Sequence, residues 1–167
     1  MIVKGKVWKY GDNIDTDVIY PGKYIYMRYS PEEMATHALE RLDPKFSSNV
    51  RKGDVIVAGK NFGCGSSREQ AAQCLKYAGV GAIIGKSFAR IFFRNAINNG
   101  LMIIESQEAS ENLLNGEEIS VDTEHGLIKT NNKVFGFALL PEFFTEIIKC
   151  GGIIPYTQKR LKIRRRL

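Results

Sequence analysis

Three short apolar runs constrain the fold of this chain most, at residues 54–58 (DVIVA), 80–84 (VGAII) and 101–105 (LMIIE). Each run has the length of a buried strand rather than of a helix. The two segments between them, at residues 68–78 and 88–98, have apolar residues at helical spacing and a glycine just beyond their ends. This strand-helix-strand-helix-strand order predicts parallel strands with helices packed on the sheet.

The segments on either side of this unit predict further elements. Ser30, Pro31 and Glu33 form a helix start, with Ser as the cap, Pro at the first position and Glu three residues after the cap. That helix is predicted to end near residue 42, before Pro44. The fold class is therefore α/β, a partly parallel sheet flanked by helices with an additional β-hairpin. The remaining predictions are a strand at 4–10, an irregular stretch at 14–29, a hairpin of 117–122 and 126–130, and a final helix at 141–149.

Length and composition bound the class of protein. A chain of 167 residues with 44% hydrophobic and 25% charged residues is predicted to form one globular domain, 1–167. No apolar run approaches the length of a membrane span, and the first residues do not resemble a secretory signal, so a soluble cytoplasmic protein without membrane contact is expected. Cys64, Cys74 and Cys150 lack CxxC spacing, so this chain is expected to bind no metal by itself.

The net charge of +6 is concentrated at the end of the chain. The tail, residues 159–167 (KRLKIRRRL), holds six basic side chains, so the rest of the chain is close to neutral. Such a tail is most often a solvated end, but a contact with an acidic partner or with RNA stays open. The chain lacks the alternating aromatic and basic residues of an RNA-binding sheet, which makes nucleic acid an unlikely partner.

The stretch NFGCGSSREQAAQC, residues 61–74, follows the first of the three apolar runs. A glycine-rich turn before a helix presents backbone N–H groups and the positive end of the helix dipole, which favours an anion. The spacing matches neither the P-loop nor the dinucleotide fingerprint, because no Lys follows the last glycine and Arg68 occupies the third glycine's place. Arg68 favours a carboxylate ligand, and Gly63 and Gly65 would let it approach closely.

Helix capping offers a second interpretation of the two serines. Ser66 with Glu69, or Ser67 with Gln70, would form an ordinary capping box that needs no ligand. One hydroxyl would suffice for that role, so capping by Ser67 would leave Ser66 free at the rim of the turn. Both interpretations stay open on the pattern alone.

Three motifs together carry a resemblance to a known family: GDNIDTDVI at 11–19, GKNFGCGSSREQA at 59–71 and KSFARIFFRNAINNGL at 86–101. In this order they are similar to the signatures of the swivelling domain of the aconitase superfamily. The short form resembles the small subunits of 3-isopropylmalate dehydratase, homoaconitase and 2,3-dimethylmalate dehydratase.

The resemblance implies one half of a hydro-lyase that dehydrates and rehydrates a hydroxy acid. The partner would be a large subunit, in a heterodimer or heterotetramer, and that subunit would hold the 4Fe-4S cluster that acts as a Lewis acid. Ser66 would be the catalytic base, while Ser67 and Arg68 would bind substrate carboxylates near Gly65. The helix N-terminus and Arg68 would lower the cost of an ionised Ser66.

The resemblance also suggests residues outside the glycine-rich turn. Asp17 matches the aspartate of the family's Thr-Asp motif and would orient active-site groups, although turn chemistry is the alternative. Arg90 and Arg94, four residues apart on one helix face, are ranked as orienting or interface residues. His37 and His125 have no ligand pattern and are expected to be solvated.

The resemblance implies that substrate choice depends on the loop that contains Tyr26, Met27 and Arg28. Tyr26 and Met27 could line an apolar pocket for a branched alkyl group, which would fit the isopropyl substrate of leucine biosynthesis. Arg28 or Lys23 could instead bind a third carboxylate. Isopropylmalate is the first choice, with the homoaconitase and dimethylmalate activities as alternatives. A basic RNA-binding protein or a carboxylate-binding module without chemistry would be a function of another class.

Overall fold

The computed structural model describes residues 1–164, and its strands form a seven-stranded mixed sheet. The strand order is β4-β3-β2-β1-β5-β6-β7. The first four in this order are parallel to one another, and β1, β5, β6 and β7 are joined antiparallel. The predicted partly parallel sheet is therefore confirmed. The strands are β1 (Ile2–Lys9), β2 (Val55–Ala58), β3 (Ala82–Gly85), β4 (Met102–Glu105), β5 (Glu118–Asp122), β6 (Leu127–Lys129) and β7 (Val134–Gly136).

Helices cover both faces of the sheet. The alternation of side chains along β2 explains this, since Ile56 belongs to one buried cluster and Val55 and Val57 belong to the other. A strand buried on both faces is apolar throughout, as the run DVIVA predicts. The helices are α1 (Thr16–Ile19), α2 (Pro31–Thr36), α3 (Phe46–Asn49), α4 (Glu69–Tyr77), α5 (Arg90–Asn98), α6 (Gln107–Asn112), α7 (Glu142–Lys149) and α8 (Ile153–Arg164), with a short 3-10 helix at Gly22–Tyr24.

The predicted hairpin is present as β5 and β6, whose register pairs Val121 with Ile128. The third strand of this antiparallel half, β7, was not predicted, because Val134–Gly136 is too short to show a clear alternation. It pairs with β6 and places Phe135 opposite Ile128 in the core. The antiparallel half thus has one more strand than the sequence pattern indicates.

The helix predicted to run from Ser30 to residue 42 is shorter than expected. Ser30 and Glu33 form the predicted capping box, but the helix ends at Thr36 and turns follow. The reason is tertiary, since the Leu39 N–H donates to the Ile19 carbonyl at 2.9 Å instead of continuing the helix. Leu39 is fully buried and has a φ of 57°, so packing overrides local helix propensity here.

The basic tail begins as part of a helix. Its residues Lys159 and Arg160 lie in α8, and both side chains are exposed to solvent. Residues 165–167 of the predicted tail lie outside the described residues. The anchor of α8 is Tyr156, which is buried and packs edge-on against Phe143 with ring centroids 5.7 Å apart.

Candidate functional site

Three loops meet beyond the carboxyl ends of the parallel strands β1, β2 and β3. The loop after β1 and the loop after β2 run side by side, because Asn13 N–H donates to Lys60 O at 2.8 Å and Gly63 N–H donates to Ile14 O at 2.7 Å. The pairing continues to Cys64, whose carbonyl accepts from Thr16 N–H at 2.8 Å. Two of the three sequence motifs are therefore joined along their backbones.

The third motif joins the same edge from the other side. Phe62 N–H donates to Ser87 O at 3.1 Å, and Ala89 N–H donates to Phe62 O at 2.9 Å. The Ser87 hydroxyl also accepts from Asn61 N–H at 2.9 Å. The glycine-rich turn is thus held between two neighbouring loops, at the sheet edge where α/β proteins commonly bind ligands.

Gly63 and Gly65 both have positive φ angles, of 77° and 89°. A Cβ atom on Gly63 would lie 2.1 Å from Phe92 Cγ, so this position needs glycine for space as well as for conformation. A Cβ atom on Gly65 would meet nothing closer than Asp15 Cβ at 3.5 Å. Gly65 is therefore required by backbone conformation alone, and it leaves the rim of the turn open.

The two serines that follow are exposed and do not cap the helix. Helix α4 begins at Glu69, and its N-cap is Arg68, which makes no side-chain capping bond. Ser66 is held through its backbone, because the Thr16 hydroxyl donates to Ser66 O at 2.8 Å. The capping interpretation is therefore wrong for both serines, and the hydrogen bonds within residues 1–164 leave both of their hydroxyl groups unused.

Arg68 lies against Asp17, which is bonded to a second arginine as well. Arg68 Nη1 donates to Asp17 Oδ1 at 2.6 Å, and Arg41 Nη1 donates to Asp17 Oδ2. Hydrogen bonds from Arg68 and from the Gly22 N–H lower the pKa of Asp17 below its ordinary value, with a further contribution from Arg41. Two guanidinium groups on one carboxylate leave a net positive charge beside the turn.

Arg68 retains donors for a ligand. Its Nη1 also donates to Tyr20 O at 3.2 Å, and its Nε and Nη2 make no hydrogen bond with any described residue. The side chain is only 15% exposed, so Asp17 and Tyr20 fix its orientation. An oriented, partly desolvated guanidinium with free donors is suited to a carboxylate.

The loop predicted to select the substrate is exposed at its tip. Tyr26 is 93% exposed and Met27 is 55% exposed, and Arg28 is exposed as well. Lys23 is not free, because its Nζ lies 3.3 Å from Glu40 Oε1. Of the two basic residues considered for a third carboxylate, only Arg28 is available in this loop.

Arg90 and Arg94 lie on α5 and are both exposed. Neither makes a salt bridge with a carboxylate in the described part of the chain. Their prediction as orienting or interface residues stays a prediction, and the structure places them on the helix that lies within the third motif.

The acidic and amide residues around Asp17 have structural partners. Asp12 accepts from Lys60 N–H at 2.7 Å, Asp15 caps α1 by accepting from Val18 N–H at 2.8 Å, and Asn13 accepts from Asn61 Nδ2 at 3.1 Å. They hold the loops together through turn and capping bonds.

The expectation that both histidines are solvated is half wrong. His125 is 71% exposed, but the His37 side chain is 22% exposed and stacks on Tyr24 with ring centroids 3.8 Å apart. His37 was missed because its partners come from a loop that has no regular pattern in the sequence.

Cysteines and other candidate ligands do not form a metal centre in the described part of the chain. Within residues 1–164, no three His, Cys, Asp or Glu side chains are grouped so that they could hold a metal ion. Cys74 is fully buried, and burial raises the pKa of its thiol; burial and Asp15 raise the pKa of Cys64. These thiols do not fit the ligand set of a 4Fe-4S cluster, which needs thiolates brought together. Among the described residues, no helix is both long and apolar enough to cross a membrane.

Comparisons with known proteins agree with this geometry. The family model of the aconitase C-terminal domain matches residues 11–109, which contain all three motifs. A 3-isopropylmalate dehydratase small subunit of Thermotoga maritima is 51% identical over 95% of this chain and 96% of its own length. An isopropylmalate/citramalate isomerase small subunit of Methanocaldococcus jannaschii is 49% identical over 96% of both chains. A crystal structure of 3-isopropylmalate dehydratase from the same archaeon superposes with a TM-score of 0.94 at 43% identity, covering 99% of each chain.

The mixed sheet and the glycine-rich turn at its parallel edge, together with these matches, define a domain of the aconitase superfamily. Within that superfamily, the chain belongs to the family of 3-isopropylmalate dehydratase small subunits. The resemblance noted in the sequence is confirmed.

Proposed function

We propose that this chain pairs with a large subunit and that the complex dehydrates and rehydrates 3-isopropylmalate, which moves the hydroxyl group to the neighbouring carbon. The observation that carries the proposal is the Ser66 hydroxyl, which is exposed and does not cap helix α4. Ser66 directly precedes Ser67 and the oriented Arg68. These residues lie in the aconitase-type turn of a chain about half identical to small subunits of this enzyme.

Ser66 removes the proton from the carbon α to a carboxylate and returns a proton to the double bond during rehydration. A serine hydroxyl is a weak acid, so the alkoxide needs positive potential. The net charge of Asp17 with its two arginines and the N-terminus of α4 both supply it. These effects are modest individually, so the isolated chain is expected to have no turnover.

Arg68 and Ser67 bind the substrate carboxylates beside Gly65. Free Nε and Nη2 donors on Arg68 can form a two-pronged contact with one carboxylate, while the Ser67 hydroxyl donates to the same or the second one. Asp17 does not contact substrate in this arrangement. It holds Arg68 in position, as predicted for an orienting residue.

The cluster belongs to the large subunit in this proposal. The cysteines of this chain do not fit one, and a cluster on the partner would supply the Lewis acid for the leaving hydroxyl group. The stoichiometry, heterodimer or heterotetramer, and the cytoplasmic location stay predictions.

The loop tip favours a substrate with two carboxylates and an alkyl group. Lys23 is paired with Glu40, which leaves fewer cations for the third carboxylate of homoaconitate, whereas Tyr26 and Met27 present apolar surface. Homoaconitate and 2,3-dimethylmalate are the alternatives. A carboxylate-binding module without chemistry or an RNA-binding protein is not favoured by the relatives.

An anaerobic turnover assay of this chain with its reconstituted large subunit tests the proposal. It offers 3-isopropylmalate, homoaconitate, citrate and 2,3-dimethylmalate side by side. We expect turnover of 3-isopropylmalate, and a loss of about 10²- to 10⁴-fold in kcat for Ser66→Ala. Ser47→Ala, on α3, is the matched control and should behave as wild type.

Two results of this assay would overturn the proposal. No turnover with a correctly assembled cluster would favour the binding module, in which Ser66→Ala leaves ligand binding unchanged. Preferred turnover of another acid would keep Ser66 as base but replace the substrate.

A further inference from the structure

We propose that two adjacent residues, Glu40 and Arg41, are positioning residues that tie the two parts of the substrate site to each other. Glu40 braces the loop that contains Tyr26 to Arg28, and Arg41 braces the Asp17–Arg68 pair. The inference rests on the function proposed above, because it assigns the loop tip and Arg68 to one substrate.

The Glu40 carboxylate gathers three donors from two segments. It accepts from His37 Nδ1 at 2.8 Å and from the Tyr24 hydroxyl at 3.2 Å, and Lys23 Nζ lies 3.3 Å away. Burial opposes ionisation of Glu40, but the bonds from His37, Lys23 and Tyr24 outweigh it and lower the pKa of the carboxyl. Glu40 is therefore ionised near neutrality and binds the start of the loop through charge-assisted contacts.

Aromatic packing strengthens the same brace. The centroid of the Tyr24 ring lies 3.8 Å from that of His37 and 5.9 Å from that of Tyr20, and the His37 and Tyr20 rings are 6.5 Å apart. Tyr29, at the end of the loop, lies 5.8 Å from Tyr24 and 5.4 Å from His37. Both ends of the loop are thus packed on one cluster, which we call the tyrosine cluster: Tyr20, Tyr24, Tyr29 and His37.

The tip of the loop has no comparable support. Tyr26 and Met27 are the loop's large exposed apolar side chains, at 93% and 55% exposure. The two ends of the loop, at Tyr24 and Tyr29, are packed, whereas its tip is not. The position of Tyr26 therefore depends on the contacts that Tyr24 makes. Glu40 can therefore influence what the tip contacts without touching substrate.

Arg41 acts on the other part of the site. Its Nη1 donates to Asp17 Oδ2, while Arg68 Nη1 donates to Asp17 Oδ1. With one arginine on each oxygen, rotation of the Asp17 carboxylate would break a charged contact on either side. Arg41 therefore fixes the carboxylate that orients Arg68.

The backbone between these contacts is itself fixed. Leu39 is fully buried with a φ of 57°, and its N–H donates to Ile19 O, at the end of the helix that contains Asp17. Because Glu40 and Arg41 follow directly, a shift at Leu39 would move both side chains together. The segment 39–41 therefore connects the start of the loop to the Asp17–Arg68 pair, in addition to the direct bond from the Gly22 N–H to Asp17 Oδ1 at 2.8 Å.

Hydrogen exchange of the isolated chain tests the Glu40 brace without any need for turnover. Glu40→Gln should raise amide exchange at residues 23–29 at least about threefold, because it removes the charge that gathers Lys23, Tyr24 and His37. Glu32→Gln is the matched control, since Glu32 is exposed in the neighbouring helix α2. Unchanged exchange in Glu40→Gln would overturn the brace.

Kinetics of the complex test the consequence for the reaction. Glu40→Gln should change the ratio of kcat/KM between 3-isopropylmalate and 2,3-dimethylmalate at least about threefold. Arg41→Gln should instead lower kcat/KM for both acids by a similar factor of at least about tenfold, through misplacement of Arg68, with partial recovery in Arg41→Lys. Arg51→Gln is the control, because Arg51 precedes β2 and therefore lies at the end of the parallel strands opposite the glycine-rich turn.

The failure of each proposal has its own signature. A wild-type complex without turnover would overturn the proposed function, and the exchange experiment would still decide the Glu40 brace. The other result is that the wild-type complex turns over 3-isopropylmalate while Glu40→Gln leaves the selectivity unchanged and Arg41→Gln leaves the rate unchanged. That result would overturn the positioning roles and leave the proposed function standing.

Discussion

Asp17 Oδ1 and Arg68 Nη1 lie 2.6 Å apart, although 51 positions separate the two residues in the chain. The contact joins the loop after β1 to the start of α4. It holds the Arg68 guanidinium against the Asp17 carboxylate, and the orienting role that the sequence motif suggests for Asp17 stays a prediction.

Replacement of Asp17 tests that role. Asp17→Asn removes the charge shared by Arg68 and Arg41, so we expect kcat/KM of the complex to fall by about 10- to 100-fold as Arg68 loses its fixed orientation. Asp122→Asn, on β5, is a control that also removes a surface carboxylate. Equal kinetics in the two variants would show that Asp17 is a turn residue only.

The same pair predicts a direction of pH dependence. Hydrogen bonds from Arg68 and Gly22 lower the pKa of Asp17 from 3.8, so the folded protein holds this carboxylate ionised at a lower pH than the unfolded chain. The stabilisation is present above about pH 4 and is lost as pH falls through the folded pKa. Because Asp17 is 37% exposed, the effect should be small.

Urea unfolding between pH 2.5 and pH 6 measures this effect. The decrease in the free energy of unfolding between pH 6 and pH 2.5 should be smaller for Asp17→Asn than for wild type. An identical pH profile for both proteins would contradict the ion pair.

Gly22 tests how closely this pair is packed. A Cβ atom there would lie 3.0 Å from Asp17 Oδ1 and 3.2 Å from Arg68 Nη2. Gly22→Ala should therefore displace the pair by a few tenths of an ångström and raise KM several-fold, with little effect on the melting temperature. Gly136→Ala, where a Cβ atom would meet nothing within 4 Å, is the control. An unchanged KM in Gly22→Ala would mean that Nη2 is not used for substrate.

The two glycines of the turn should differ in their effect on stability. Gly65→Ala places Ala at a φ of 89° with adequate space and should cost about 1–2 kcal/mol. Gly63→Ala adds overlap with Phe92 and should cost about 3 kcal/mol or more. Urea unfolding measures both, with Gly11→Ala as control because that site is open. Equal decreases in the free energy of unfolding for the two variants would show that the Phe92 side chain can move away from the new Cβ atom without destabilising the fold.

Much of the parallel half of the fold could be predicted because its signals are local. The apolar runs of β2, β3 and β4 and the glycines after the intervening helices determine strand and helix independently of the rest of the chain. The glycine-rich turn at Gly65 also followed from local pattern, whereas the local pattern left the role of the two serines open.

Other features depend on contacts that no local pattern contains. The end of α2 at Thr36 is set by the bond from Leu39 to Ile19, and Arg41 was missed because the predicted helix ran across it. Glu40 and His37 were also missed, because the residues that they contact lie in a loop whose sequence has no periodicity. Capping by Ser66 or Ser67 was a reasonable inference from spacing, but the bond from Thr16 to Ser66 O keeps both residues outside the helix.

The basic tail should be dispensable for the proposed activity. A chain that ends at Gln158 keeps Tyr156, which packs on Phe143, and loses the 3.0 Å bond from Arg160 Nη1 to the Tyr156 hydroxyl. That surface contact contributes less than about 1 kcal/mol, so unfolding free energy should change little. With the large subunit, kcat/KM should stay within about twofold of wild type at both low and high salt. A loss of activity that grows with salt in the full-length protein but not in the truncated one would show that residues 159–167 bind the partner through charge.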